Sequence, residues 1–171
     1  SPADIARQYV DHVRFLQGEA ARHGKSLMLW GDMLLKHPEA IGDLPAGCEI
    51  LDWAYFPSNK FEKCGEFISR GLPTAVCPSV RGFGRVFNAV EEARVVLAKY
   101  ARTGKELGAR GLMNTDWGDY GHFNVPPAAL HGLALGAQLA WNPANDADAD
   151  FDRAFSKVIF GADDARPAEL F

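Results

Sequence analysis

The sequence has no apolar run near the ~20 residues a membrane-spanning helix needs, so no membrane partner is expected. Cysteine is scarce. Cys48, Cys64 and Cys77 are odd in number, far apart and without a CxxC pair, which excludes a readable disulfide framework or zinc motif and makes buried thiols the simplest reading. Basic clusters are missing too: no Lys/Arg stretch exceeds a pair and the net charge is -4, so nothing in the charge pattern would attract nucleic acid. The amino end lacks the form of a secretory signal. His12, His23, His37 and His131 show no metal-ligand spacing, and Gly82-Phe83-Gly84 lacks the third glycine and the Lys-Ser/Thr of a phosphate loop, so it reads as a flexible turn. No metal and no cofactor are expected. No Pro-rich or Gly/Ser linker and no strict repeat divides the chain, and the 171 residues, 47% hydrophobic, suit a single domain over 1–171.

What is present alternates. Ser1 as cap, Pro2 at the first helical position and Ile5, Tyr9, Val13, Leu16 and Ala20 at helical spacing predict a helix that Gly24 stops. "SLMLWGD" is a short apolar run of the kind buried on both faces of a parallel sheet. "CEILDWAY" predicts a second strand, followed by a helix capped by Ser58 with Phe61, Cys64, Phe67 and Ile68 inward. "PTAVCPSV" is a third strand, before a helix capped by Asn88 and carrying Val90, Ala93, Leu97 and Tyr100. "GLMNTDW" is a fourth, and a helix from Pro126-Pro127 through Leu130, Leu133, Ala137 and Trp141 follows, its Leu133, Gly136, Ala137 and Ala140 packing inward. The acidic stretch "NPANDADADFD" reads as a solvated connection to a last helix over roughly 148–159. Four βα units with connections too long for hairpins make an α/β fold with parallel strands.

The chemistry gathers where the strands end. The first closes in Trp30-Gly31-Asp32, the second in Asp52-Trp53-Ala54-Tyr55, the third in Pro78-Ser79-Val80-Arg81, and the fourth in Asn114-Thr115-Asp116-Trp117-Gly118-Asp119. In parallel α/β folds that edge is where side chains from successive strands converge on a ligand. Helix capping accounts for an Asp after a strand, but gives no reason for a Trp beside it each time. A pyranose accounts for both, since its C–H faces pack on indole and its hydroxyls need carboxylates at the rim. Trp30, Asp32, Asp52, Trp53, Asp116, Trp117 and Asp119 are therefore the candidate substrate-binding residues, with His122 as a neighbour of Trp117.

The motifs "LMLWGDMLLKHPE", "LDWAYF" and "TDWGDYGH" followed by "GLALGAQLAWNP" resemble the second half of the catalytic barrel of glycoside hydrolase family 20, the β-N-acetylhexosaminidases, from the first helix to about Pro143. That resemblance implies a (β/α)8 TIM-type barrel whose last four strands are here, the run from Ser26 corresponding to the fifth. It implies that Trp30, Trp53 and Trp117 wall the pocket for the substrate's N-acetyl group. Asp119 stands where many members have a Glu that binds sugar hydroxyls. The family's seventh strand usually carries a Tyr and an Asp two apart, the Tyr holding the acetamido oxygen. This chain has "PSVRGFGR" there, leaving Tyr55 or Arg81 as stand-ins.

The mechanism implied is substrate-assisted. The acetamido oxygen attacks its own anomeric carbon, a Glu protonates the leaving oxygen, and an adjacent Asp orients the acetamide. In the family that Asp-Glu pair follows the fourth strand and would precede residue 1. No Asp-Glu dipeptide occurs in this chain, and Glu91-Glu92 falls inside a predicted outer helix, so no catalytic residue is assigned here. The expected parent removes terminal β-linked N-acetylhexosamine, while the 171 residues alone are expected to be inactive and to pair with the missing N-terminal half-barrel or with a second copy. Two alternatives remain: a sugar-binding or assembly module without catalysis, and another (β/α)8 hydrolase in which Asp116 or Asp119 is catalytic.

Overall fold

The structure, a computed structural model, describes residues 2–121, 123–145 and 149–166. Ser1, His122 and Asp148, read above as a helix cap, a neighbour of the site and a helix start, lie outside the described residues. Four strands form one all-parallel sheet in sequence order: β1 (Met28–Trp30), β2 (Glu49–Trp53), β3 (Thr74–Cys77) and β4 (Gly111–Leu112). Between and around them run α1 (Pro2–Arg22), α2 (Asp32–Lys36), α3 (Cys64–Ile68), α4 (Val90–Leu107), α5 (Leu130–Trp141) and α6 (Ala149–Phe160). This is the α/β alternation expected from the sequence. No described helix is long and apolar enough to cross a membrane.

Strand alternation divides the core. Ile50, Asp52 and Val76 point to the helices, while Leu51, Ala75 and Cys77 form a cluster with Trp30 and Met113 on the opposite face. On the helix side, Ala6 and Val10 of α1 pack with Leu34, Ile41, Ile50 and Phe67; truncating the fully buried Phe67 to Ala would cost roughly 3–5 kcal/mol. Phe61, Cys64, Val76, Val96 and Tyr100 make a second cluster, and Leu97, Leu135, Leu139, Phe151 and Phe155 a third that binds α6 to α4 and α5. All three cysteines are free and buried.

Several expectations require correction. The buried stripe of α1 is Ala6, Val10 and Val13, with Ile5 half exposed at 50%; of the expected positions Val13 is buried, and Ala6 and Val10 make the contact with Leu34, Ala40 and Ile41. β1 is not buried on both faces: Met28 is exposed, since β1 is an outer strand of the sheet. Ser58 caps nothing; Asn59 Oδ1 instead accepts the N–H groups of Tyr55 and Phe56, both at 2.9 Å, and a 3-10 turn at Phe61–Lys63 leads into the short α3. Asn88 likewise leaves the cap of α4 vacant and donates through Nδ2 to the Val80 carbonyl at 2.8 Å. The largest reversal is in α5: Leu130, Leu133, Ala137, Ala140 and Trp141 are exposed and His131, Leu135 and Leu139 face inward, while Gly136 is buried as expected.

Candidate functional site

The carboxyl edge of the sheet is built so that short elements deliver aromatic rings to one place. Gly31 separates Trp30 from Asp32 because α2 starts directly over Phe67; a Cβ at Gly31 would stand 2.9 Å from that ring. β2 alternation sends Trp53 to the face opposite Asp52, and Tyr55, two residues on, follows it there. The β3–β4 pairing continues past the strands through a parallel Ser79–Thr115 bridge, with Val80 N–H donating to the Thr115 carbonyl at 3.0 Å. This carries Trp117 up to the same edge. Tyr120 and Gly121, both at positive φ (59° and 95°), then turn the chain so that Asp119 lies at the rim.

Together these residues line a cleft of about 290 Å³: Trp30, Asp32, Trp53, Tyr55, Trp117 and Asp119, with Phe83. That volume is at the small end of the ~300–1,000 Å³ typical of ligand sites and suits one ring-sized ligand. Tyr55 is the hub. Its ring stacks on Trp53 (centroids 4.9 Å apart, planes 27°) and tilts against Phe83 at 5.8 Å and Trp117 at 6.3 Å, while Trp30 and Trp117 meet at 5.6 Å and 54°. Burial pushes the Tyr55 hydroxyl up to about 12, against the opposing pull of the Trp117 and Thr115 side chains beside it, so it stays a neutral phenol able to donate a hydrogen bond. The buried indole N–H of Trp117 has no acceptor aligned with it, although the Tyr55 hydroxyl stands beside it.

Three of the residues proposed from sequence lie elsewhere. Asp52 is buried on the helix side, where the Tyr100 hydroxyl donates to Oδ2 at 2.5 Å and to the Asp52 carbonyl at 2.9 Å. Burial raises its carboxyl pKa above the ordinary value, opposed by the Tyr100 hydrogen bond. Arg81 is 3% exposed and turned away, its Nε and Nη2 donating to Glu92 Oε2 at 2.9 and 2.5 Å. Asp116 is exposed but outside the cleft lining: its Oδ1 lies against the backbone of Gly82, 2.8 Å from where a Cβ would be. Phe83 is the residue that sequence reasoning missed, because a Gly-Phe-Gly turn reads as flexible. Its signal was an aromatic ring in the loop after the third strand, the one strand end without a tryptophan.

Among the described residues no group of three or more His, Cys, Asp or Glu side chains converges as a metal site. What the cleft offers chemically is flat apolar walls, a phenol donor and two rim carboxylates. Compared with known proteins, the chain matches no protein-family model and no curated protein sequence.

Proposed function

We propose that the cleft holds a terminal β-linked N-acetylhexosamine, and that the four βα units are the second half of a (β/α)8 barrel similar to that of glycoside hydrolase family 20. The observation that carries the reading is the convergence of Trp30, Trp53 and Trp117, from three separate strand ends, on one ring-sized cleft with Asp32 and Asp119 at its rim. Indole and phenol faces suit the C–H faces of the sugar and the acetamide methyl, and the two carboxylates suit its hydroxyls. Tyr55, a neutral donor in the aromatic wall, is well placed by chemistry to take the acetamido oxygen, the role for which Arg81 is unsuited because Glu92 already holds it. The tryptophan walls would fix the acetamide beneath the anomeric carbon and exclude water, which is proximity catalysis. The protonating Glu and its Asp neighbour would come from the other half of the barrel.

The test is a titration of intrinsic tryptophan fluorescence with N-acetylglucosamine and with glucose, beside an assay of the full-length protein on 4-nitrophenyl N-acetyl-β-glucosaminide. Saturable binding of the acetylated sugar alone, with hydrolysis that retains configuration, is expected. Equal response to both sugars would sink the acetamide pocket. Binding without hydrolysis would favour the second reading, a module that holds sugar without cleaving it. One observation favours that alternative: the carboxyl that burial holds toward its protonated form, Asp52, faces Tyr100 and not the cleft. Asp119→Asn in the active full-length protein separates the remaining case, since abolished turnover with unchanged affinity would make Asp119 catalytic.

A further inference from the structure

Two arginines flank Phe83 at equal distance along the chain, and both reach one carboxylate. Arg81 donates twice to Glu92 Oε2, at 2.9 and 2.5 Å, and Arg85 Nη2 stands 3.6 Å from Glu92 Oε1. Glu92 lies in the first turn of α4, where the helix dipole favours a negative charge. The Arg81 guanidinium in turn lies over the Phe83 ring at 4.7 Å and over Phe56 at 4.3 Å. We propose that Glu92 is a positioning residue that acts through Arg81 and Arg85 to hold the Phe83 ring in the sugar cleft. The inference rests on the sugar-binding reading of that cleft.

The backbone agrees with this role. Arg81 has a left-handed φ of 60°, an uncommon state for a residue with a side chain, and Gly84 has φ 65°. The loop is closed at its base by Ala89 N–H donating to the Arg81 carbonyl at 3.2 Å, and Arg81 N–H donates to Ser79 Oγ at 3.1 Å. Between the two left-handed residues the chain doubles back and Phe83 turns toward Tyr55. An unrestrained Phe on a loop would lose rotamer freedom when a ligand packs on it, which weakens binding; a ring held beforehand does not. Arg81, buried and committed to Glu92, thus contributes to the cleft without touching the ligand.

Phe83→Ala and Glu92→Gln, alone and together in the full-length protein, test the link by N-acetylglucosamine titration, with thermal melting recorded in parallel. Glu92→Gln alone is expected to weaken binding about tenfold but to add less than about twofold once Phe83 is Ala, the non-additivity of residues acting as one unit. Glu92→Asp, which keeps the charge, should recover part of the loss. Equal fold-changes in both backgrounds would overturn the proposal, because a general loss of fold would act regardless of Phe83. A second readout does not need the sugar: with 4-fluorophenylalanine at position 83, fluorine NMR should show one line that shifts or splits on Glu92→Gln. If that line moves but no N-acetylglucosamine binds to the unsubstituted protein, the sugar reading fails and the positioning role stands. An unmoved line refutes the positioning role itself.

Discussion

Two regions of this molecule combine aromatic rings with charged groups, and they differ in what the charges do. Between α4, α5 and α6, the fully buried His131 ring meets Phe151 and Phe155 edge-on at 5.2 and 5.1 Å, and its Nε2 lies 2.9 Å from both Asp152 Oδ1 and Arg94 Nη2. Arg94 also pairs with Asp152 directly. At the carboxyl edge of the sheet, Asp32 and Asp119 stand among Trp30, Trp53, Tyr55 and Trp117 with no ion pair or side-chain hydrogen bond among the described residues. The first region is closed and its charged groups pair with one another, although His131 Nδ1 is buried without a hydrogen-bond partner among the described residues. In the second the two carboxylates accept no hydrogen bond from a described side chain, which leaves them open to the ligand proposed above.

The sharpest way to break this contrast is Trp117→Ala. Trp117 touches both Trp30 and Tyr55, so its loss opens the cleft wall at its centre and is expected to weaken N-acetylglucosamine binding about a hundredfold, the scale of a central aromatic anchor. Melting should change far less than affinity. If isothermal titration shows affinity retained, the cleft is not the sugar site.

The opposite pattern is expected from Asp152→Asn. Removing the carboxylate that Arg94 and His131 share should cost about 3 kcal/mol by chemical denaturation while sugar affinity stays put. The same region sets an acid limit. Burial, together with the Arg94 charge, lowers the His131 pKa despite Asp152, so the unfolded chain takes up that proton first and stability falls as pH drops from about 6.5 toward the folded value. Burial raises the Asp152 carboxyl, but the hydrogen bonds from His131 and Arg94 outweigh it and leave it low. Its contribution is present above the ordinary Asp pKa and lost as pH falls through the depressed one. Melting recorded between pH 7 and 3 should therefore decline; in Asp152→Asn the part below the ordinary Asp pKa is lost, while the His131 part, no longer opposed by the Asp152 charge, persists.

Asp52 and Trp53 show the same contrast within two adjacent residues, and the effect expected there is smaller. Tyr100→Phe removes the hydroxyl that donates to buried Asp52 and should cost about 1–3 kcal/mol, again without loss of sugar affinity. Because burial raises the folded pKa of Asp52, the native state keeps a proton that the unfolded chain has released. Stability from this group is thus greatest below the ordinary Asp pKa and declines as pH rises to the raised value. Asp52→Asn should flatten that decline and raise stability at neutral pH; lower stability at pH 7 in this variant would count against the assignment.

The order of strands and helices, and the edge at which the aromatics meet, were legible because apolar runs, turn residues and the Trp-Asp pairs are local patterns. What was not legible depended on contacts distant in sequence. Asp52 reads like its neighbours until Tyr100, 48 residues away, claims it, and Arg81 looks like a site cation until Glu92 does. In "LHGLALGAQLAW" apolar residues surround the helix, so a 3.6-residue period selects no face; the deciding residue is His131, which needs Arg94 and Asp152 and draws its side of α5 inward. Phe83 was hidden for the same reason, since the pair that restrains its loop is formed by side chains outside the Gly-Phe-Gly motif.

Trp141 supplies the smallest expected effect and the cleanest control. It is 92% exposed at the end of α5, distant in role from the three cleft tryptophans although identical in composition. Trp141→Ala should leave N-acetylglucosamine affinity within about twofold, as surface substitutions away from a site do. Its fluorescence tests the half-barrel reading as well. On the exposed face of α5, with Leu130 and Leu133, it would be covered if the remaining half of a barrel closes against that side. The component removed by Trp141→Ala should then be red-edge emission in the 171-residue chain alone and blue-shifted emission in the full-length protein. Red-edge emission in both would mean that this face stays in water, and that the four-stranded sheet is not completed there.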